Sequence, residues 1–376
     1  MRFRETNINF PETRRVSLLF PLERWPALIL FSALTLSSLA LCAGEDAESD
    51  VGGTILIDAA VEPDKDKEDE NLKPVYRGSL FTYRNVGSAI SLARDAELTY
   101  NPYYAMIFMI EPMFWTGEHG HLNLGISISR EITNSDWTTK EGETILDDIT
   151  LGIGLSNIWT IPIVEIGISP SLDVIIPTSK SSRARSLICG INPGVGLARI
   201  FDVLSGLSLS YSFGFIKSFH YYTTAQNEEP IIDAAPTSTR SMASYMNTGV
   251  RNASFDISNV GVIGIEFVSW LGLSVSGGIV HSYLYELNGQ EENTSLETED
   301  SSSIRYAMIY SAEIHSRPIP ALAIAIGAET VSPQLSSDST YEMPFINRYT
   351  AIYLDLKLDV AGLVSQITSK NRRKRQ

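Results

Sequence analysis

Cysteine is almost missing from this sequence. Cys42 and Cys189 are the only two in 376 residues. Cys42 lies in a stretch that reads as a cleaved leader, so Cys189 has no partner and no internal disulfide is expected in the exported chain. Basic charge is also short. With 29 Lys and Arg against 44 Asp and Glu the net charge is −15, which excludes nucleic acid as a partner. Long apolar runs are confined to one place, Trp25 to Leu41, and a mean hydropathy of +0.02 excludes a bundle of membrane-spanning helices. Phosphate-binding glycine loops are absent, because the glycines alternate along apolar stretches, as at Gly152 and Gly154, and do not open helices. Only five histidines occur, and His119 with His121 is their one close pair on a common face. With no cysteine nearby that pair reads as solvated, and no metal or cofactor is expected.

The stretch Tyr349 to Val360, YTAIYLDLKLDV, is the most informative of what is present. Ile352, Leu354, Leu356 and Leu358 alternate with Tyr353, Asp355, Lys357 and Asp359. Successive strand side chains point to opposite faces, so this strand has one oily face and one charged face. Similar stretches recur at 76–85, 102–114, 121–131, 148–158, 165–177, 187–199, 206–219, 252–268, 271–285, 304–316 and 320–330, closing with 347–360. Each is long enough to cross hydrocarbon as a tilted strand. The connections alternate in length. They are tight around Gly117 to Gly120, Ile161-Pro162, Asp202 to Ser205, Trp270 and Pro318 to Pro320, and longer at 86–101, 132–147, 178–186, 220–251, 286–303 and 331–346. Oily-out, polar-in strands of even number, with loops sorted by length, define an all-β, up-and-down antiparallel transmembrane barrel of about 12 strands. The short turns are expected in the periplasm and the long loops outside.

Aromatic residues divide between the two ends. Trp115, Trp159 and Trp270 fall at the short turns, and Tyr221, Tyr222, Tyr283 and Tyr285 at the long loops, where two interfacial belts are expected. Before the barrel, residues 1–43 read as a signal peptide: Arg2, Arg4, Arg14, Arg15 and Arg24, an apolar core, then Ala43 or Gly44 for cleavage. Its removal takes five arginines and three glutamates, so the charge falls by two to −17. Residues 44–75 carry the run EPDKDKEDENLK and read as a solvated acidic linker, with Thr54 to Ile57 its only apolar island. The barrel is assigned to 76–360 and a basic, solvated periplasmic tail to 361–376. Pro170 and Pro193 each remove a ladder hydrogen bond inside neighbouring strands, so a bulge or gap is expected in the seam between them.

The stretches YRGSLFTYRN (76–85), AELTYNPYYAM (96–106) and IPTSKSSRARSL (176–187) resemble those of uncharacterised outer-membrane barrel proteins from myxobacterial and predatory Gram-negative lineages. Barrels of this strand number include nucleoside and oligosaccharide channels, an outer-membrane phospholipase, lipid A deacylases and autotransporter pores, and fold does not choose among them. The phospholipase sets His and Ser two apart on one strand face. Here His281-Ser282 and His315-Ser316 are adjacent and so point to opposite faces. No catalytic set is therefore expected.

The face opposite the oily one is Ser, Gly and Thr over much of the third to ninth strands, which leaves space for water, a ligand or a loop. Ionisable groups collect on that face as candidate pore-lining residues: Asp173, Asp256, Glu266, Arg305, Glu313, His315, Asp355, Lys357 and Asp359. Arg77 and Arg84 of the first strand could join them. The tenth and twelfth strands, taken as neighbours, either set a transverse field across a pore or form an ion-paired plug. The acids Glu286 to Asp300 read as solvated. The expected function is a channel passing small polar solutes through a charge-lined pore. The alternatives are a closed barrel serving as scaffold or receptor through its loops, or a lipid hydrolase. Expected partners are outer-membrane lipid, lipopolysaccharide and the barrel assembly machinery.

Overall fold

The computed structural model describes residues 74–89, 103–133, 142–228, 245–286, 303–334, 341 and 343–373. The leader, the acidic linker with its apolar island and most of the acidic 286–303 loop lie outside these residues. Twelve long strands are present: β1 Leu80–Ser88, β2 Tyr104–Glu111, β3 Gly120–Glu131, β4 Ile149–Leu155, β5 Ile166–Ile176, β6 Leu187–Phe201, β7 Gly206–His220, β8 Ala253–Val268, β9 Leu271–Leu284, β10 Ile304–Ile319, β11 Leu322–Pro333 and β12 Thr350–Asp359. Each pairs antiparallel with the next, and β12 pairs back onto β1 from Leu80 opposite Asp359 to Ser88 opposite Ala351. The sheet is a closed barrel without a free edge. All twelve expected strands are found.

The alternation of oily and polar residues sets the two faces. On β12, Ile352, Leu354 and Leu356 are exposed while Tyr353 and Asp355 are buried. The same alternation exposes Phe108 and Ile110 on β2, Leu151 and Ile153 on β4, Phe213 on β7, Ile314 on β10 and Ile326 on β11. An apolar surface reaching around the whole circumference has no aqueous partner, and a bilayer's hydrocarbon covers it. Connections keep the expected order. Between strands of one rim the chain needs only Ser269 and Trp270, or Asp202 to Ser205. At the other rim a loop carries the helix α1, Lys180–Ala184, and another the hairpin Thr224–Glu228 with Tyr245–Arg251.

One expectation is corrected. The β5–β6 ladder runs in one register from Gly167 opposite Ala198 to Ile175 opposite Gly190, straight through both prolines. A strand N–H points at only one of its two neighbours, so each defect falls on the other seam. Pro193 leaves Phe215 and Ile216 without partners in the β6–β7 ladder, and the β4–β5 ladder stops at Ser171, one residue from Pro170. The chain after β12, where the basic tail was assigned, continues as regular structure. Residues Val360–Arg373 form a helix, α2. Its start is fixed to the short-turn rim, where Val360 N–H donates to Ser79 O at 3.1 Å and Asp359 N–H to Ala321 O at 2.9 Å.

Ile326 is 60% exposed in the middle of β11. Ile326→Arg is expected to destabilise the folded protein in liposomes by about 2–4 kcal/mol, because a guanidinium on a lipid face must shed water. Denaturant titration measures this, and an exposed position in a water-soluble sandwich would show almost no change.

Candidate functional site

The inner face of the barrel carries a connected cluster of charges on β1, β2, β8 and β10 to β12. Arg84 is its hub. It stands opposite Asp355 across the β1–β12 seam, and its Nε and Nη2 donate to Asp355 Oδ1 and Oδ2 at 2.8 and 2.9 Å. Nη1 donates to both oxygens of Glu329 at 3.1 Å. The guanidinium also lies 4.1 Å from the ring centre of Tyr353, a cation–π contact. Two carboxylates and an aromatic face surround this cation.

Glu313 is the second node. Lys357 Nζ donates to its Oε2 at 3.0 Å and Oε1 at 3.2 Å, and Tyr353 OH donates to Oε2 at 3.1 Å. These contacts correct the expectation that β10 and β12 are neighbours, since β11 runs between them. Register explains how they still meet. Glu313, Gly327 and Tyr353 lie in one row across the three strands, and His315, Ala325 and Asp355 in the next inward-facing row. Gly327 and Ala325 are small, so side chains from β12 pass over β11. A Cβ on Gly327 would collide with the Tyr353 ring. His315 continues the chain of contacts to β8, with Nε2 2.9 Å from Glu266 Oε1. Arg317 faces Glu266, Asp359 and Glu313, and Glu111 enters the same field from β2 beside Lys357.

This cluster is packed, not water-filled. Relative exposure is 0% at Asp355, 3% at Arg84 and Glu313, and 4% at Glu329. Val86, Tyr103, Ala105, Ile107, Met109, Ala351 and Tyr353 form a buried apolar group beside it. Of the two arrangements expected for the interior charges, the geometry is that of the ion-paired plug on this side of the lumen.

The opposite wall differs. The inward positions of β4 to β7 include Thr150, Gly152, Gly154, Gly190, Asn192, Gly194, Ser212 and Gly214. The space expected beside these small residues is partly taken by their neighbours. A Cβ on Gly152 would strike both Asn123 and Asp173, one on Gly154 would strike His121, and one on Gly272 would strike His315 and Glu266. Asn192 Nδ2 lies 3.5 Å from Asp173 Oδ2, while Asn192 Oδ1 is buried without a hydrogen-bond partner. Apart from Asp173, this wall is neutral and rich in hydrogen-bonding groups.

The remaining candidates are placed as follows. Asp256 is buried at the long-loop end, where with Asp148, Ser182, Arg185 and His220 it lines a cavity of about 30 Å³, room for one water. Asp148 accepts from Ser179 N–H at 2.8 Å and from the Ser182 hydroxyl, which ties α1 over this mouth. Arg305 occupies the inward face of β10 near the same rim. Asp359, which faces Arg317, also accepts from Ala361 N–H at 2.9 Å through Oδ1 and caps α2. Arg77 lies below β1 in the short-turn rim, stacked 3.7 Å from the Trp115 ring centre.

Among the expected belt residues Trp159, Trp270, Tyr221 and Tyr222 are exposed. Tyr283 faces outward and stacks on Phe255 at 4.4 Å. Tyr285 turns toward the mouth, its OH donating to Ser218 O at 2.7 Å. Trp115 lies in a short strand, Met113–Trp115, against His121, at 5.0 Å between ring centres, and its ring N–H donates to Arg77 O. His281 packs on the outward Tyr306 while Ser282 is buried inward, so this pair stands on opposite faces. Sequence reasoning passed over Glu111, Arg317 and Glu329. For Glu329 the available signal was parity, since it shares a face with Ala325 and Gly327, opposite Ile324 and Ile326.

No family model matches the chain, and no curated protein matches it. Solved structures do. An outer membrane channel from Pseudomonas putida F1 aligns over 78% of this chain and 99% of its own, at 8% identity and a TM-score of 0.46. The KdgM porin aligns over 74% and 98%, at 9% identity and TM-score 0.35. LpxR from Salmonella typhimurium aligns over 75% and 100%, at 9% identity and TM-score 0.36.

Removing Arg84 strands two buried carboxylates. Arg84→Met is expected to cost about 3–5 kcal/mol in detergent-folded protein, the penalty typical of breaking a buried ion pair from one side. Adding Asp355→Asn to that variant should recover part of the loss, and a double-mutant cycle in denaturant measures the coupling.

Proposed function

We propose that this protein is an outer-membrane channel for the passive passage of small polar solutes, narrowed at rest by the Arg84 cluster. The observation that carries this reading is the asymmetry of the inner face. One wall presents a connected network of charges, from Arg84 through Glu313 to Glu266, and the other presents mainly uncharged hydrogen-bonding groups such as Asn192 and Ser212, with Asp173 among them. A polar solute crossing between them exchanges water for wall contacts in sequence, which is how narrow pores conduct without a lid. Within the cluster Arg84, Arg317 and Lys357 face Glu111, Glu266, Glu313, Glu329 and Asp355. Carboxylates are therefore in excess, and cations pass in preference to anions. The short-turn rim lies in the periplasm, and the role is not enzymatic.

The burial of the Arg84 cluster also favours a second reading. In it the barrel is permanently closed and acts as a scaffold or receptor through its long loops. Conductance separates the two. Purified protein in planar bilayers is expected to give small, cation-selective steps, with larger steps in Arg84→Ala. Silence from both proteins, with folding shown by heat-dependent gel mobility, would reject the channel and leave the closed barrel.

A further inference from the structure

We propose that α2 is a membrane-surface anchor that lies on the anionic phospholipid of the periplasmic leaflet. The inference rests on the reading of the chain as an outer-membrane barrel with its short turns in the periplasm, and it adds a partner that this reading does not assign.

Three observations on one element carry it. First, α2 has an apolar stripe that the described residues leave partly uncovered. Val360, Leu363, Val364 and Ile367 recur at helical spacing on one face, and Val364 and Ile367 are 39% and 53% exposed. Second, the helix begins at the level of the bilayer surface. It follows directly from β12, whose Leu354 and Leu356 belong to the lipid-facing belt. Its first turn is held there by the Asp359 cap and by Gly362, where a Cβ would press on Pro320 and Ala321 of the β10–β11 turn. Third, charge is sorted along it. No Asp or Glu occurs from Val360 to Gln376 in a chain that is otherwise strongly acidic, whereas Lys370, Arg372 and Arg373 fall in the last turn. Lys374 and Arg375 follow, beyond the described residues.

An apolar stripe ending in clustered cations is what an interfacial helix presents to an anionic surface, with side chains in the acyl boundary and ammonium or guanidinium groups at the phosphates. Such a helix fixes the height and rotation of the barrel in the membrane from its short-turn side. Fourteen residues give it a length of about 21 Å, long enough to reach outward from the rim over the surrounding lipid.

The test places an environment-sensitive fluorophore at Ile367→Cys in full-length protein carrying Cys42→Ser and Cys189→Ser, reconstituted in nanodiscs. One set contains phosphatidylglycerol with brominated acyl chains and the other only zwitterionic lipid with the same bromination. The expected result is blue-shifted, bromine-quenched emission in the anionic discs. High salt should weaken it, and each cation neutralised in Arg372→Gln or Arg373→Gln should lower the bound-to-free ratio roughly fivefold. Water-like emission in both lipids would overturn the proposal. Equal quenching in both, indifferent to salt, would overturn the assignment to anionic lipid. A control label at Leu356→Cys keeps the two readings apart. If that label is quenched while the helix label is not, the barrel stands and the anchor falls. If neither is quenched, the membrane barrel fails and the anchor fails with it.

Discussion

Closure of the sheet between its first and last strands is the constraint on which the rest depends. In hydrocarbon an unpaired backbone N–H or C=O has no water to turn to, so an open edge is not tolerated and the only stable sheet is one joined to itself. Here the joining seam is β1 against β12, and it carries the bidentate Arg84–Asp355 pair at its middle. The main chain closes the barrel on the outside and the guanidinium closes it on the inside. Glu329, Tyr353 and Glu313 then extend that contact over the two preceding strands. The Arg84 contacts are therefore at the one place where sequence neighbours cannot help each other.

How far this was legible in the sequence depends on the range of the signal. Strand identity is local. Oily and polar residues alternate within each strand, as Leu122, Leu124, Ile126 and Ile128 do against Asn123, Gly125, Ser127 and Ser129, and period-two patterning survives without tertiary context. Facing follows from the same parity, which is why Asp355, Glu313 and His315 could be placed on the inner wall. Partnership is not local. Arg84 and Asp355 are 271 positions apart, and nothing in either neighbourhood specifies the other. Only the closed strand order puts Arg84 beside Asp355 and puts β11 between β10 and β12.

The departures share that origin. The prolines were read as damaging the seam between their own strands, because sequence gives the strand and not the side to which a given N–H points. Register supplies that side, and it moved each defect to the outer neighbour. Glycines were read as empty volume, yet Gly152, Gly154 and Gly327 are the places over which Asn123, His121 and Tyr353 lean. Asp359, the last charge on the inward parity of β12, has a second role as the cap of the helix that follows. For the prolines and the glycines the role is decided by a neighbour remote in the chain, and for Asp359 by the start of the next element.

The bridge across the closing seam also bears on the order of events during assembly. Arg84 precedes its partners Glu329 and Asp355 in the chain, and Asp355 reaches it only when β12 pairs with β1. Until that pairing the guanidinium lacks its bidentate partner and keeps its water. Closure of the seam therefore coincides with the loss of that water from one side of the lumen. A chain interrupted before Asp355 would keep a charged, water-filled cleft where the finished molecule has a wall.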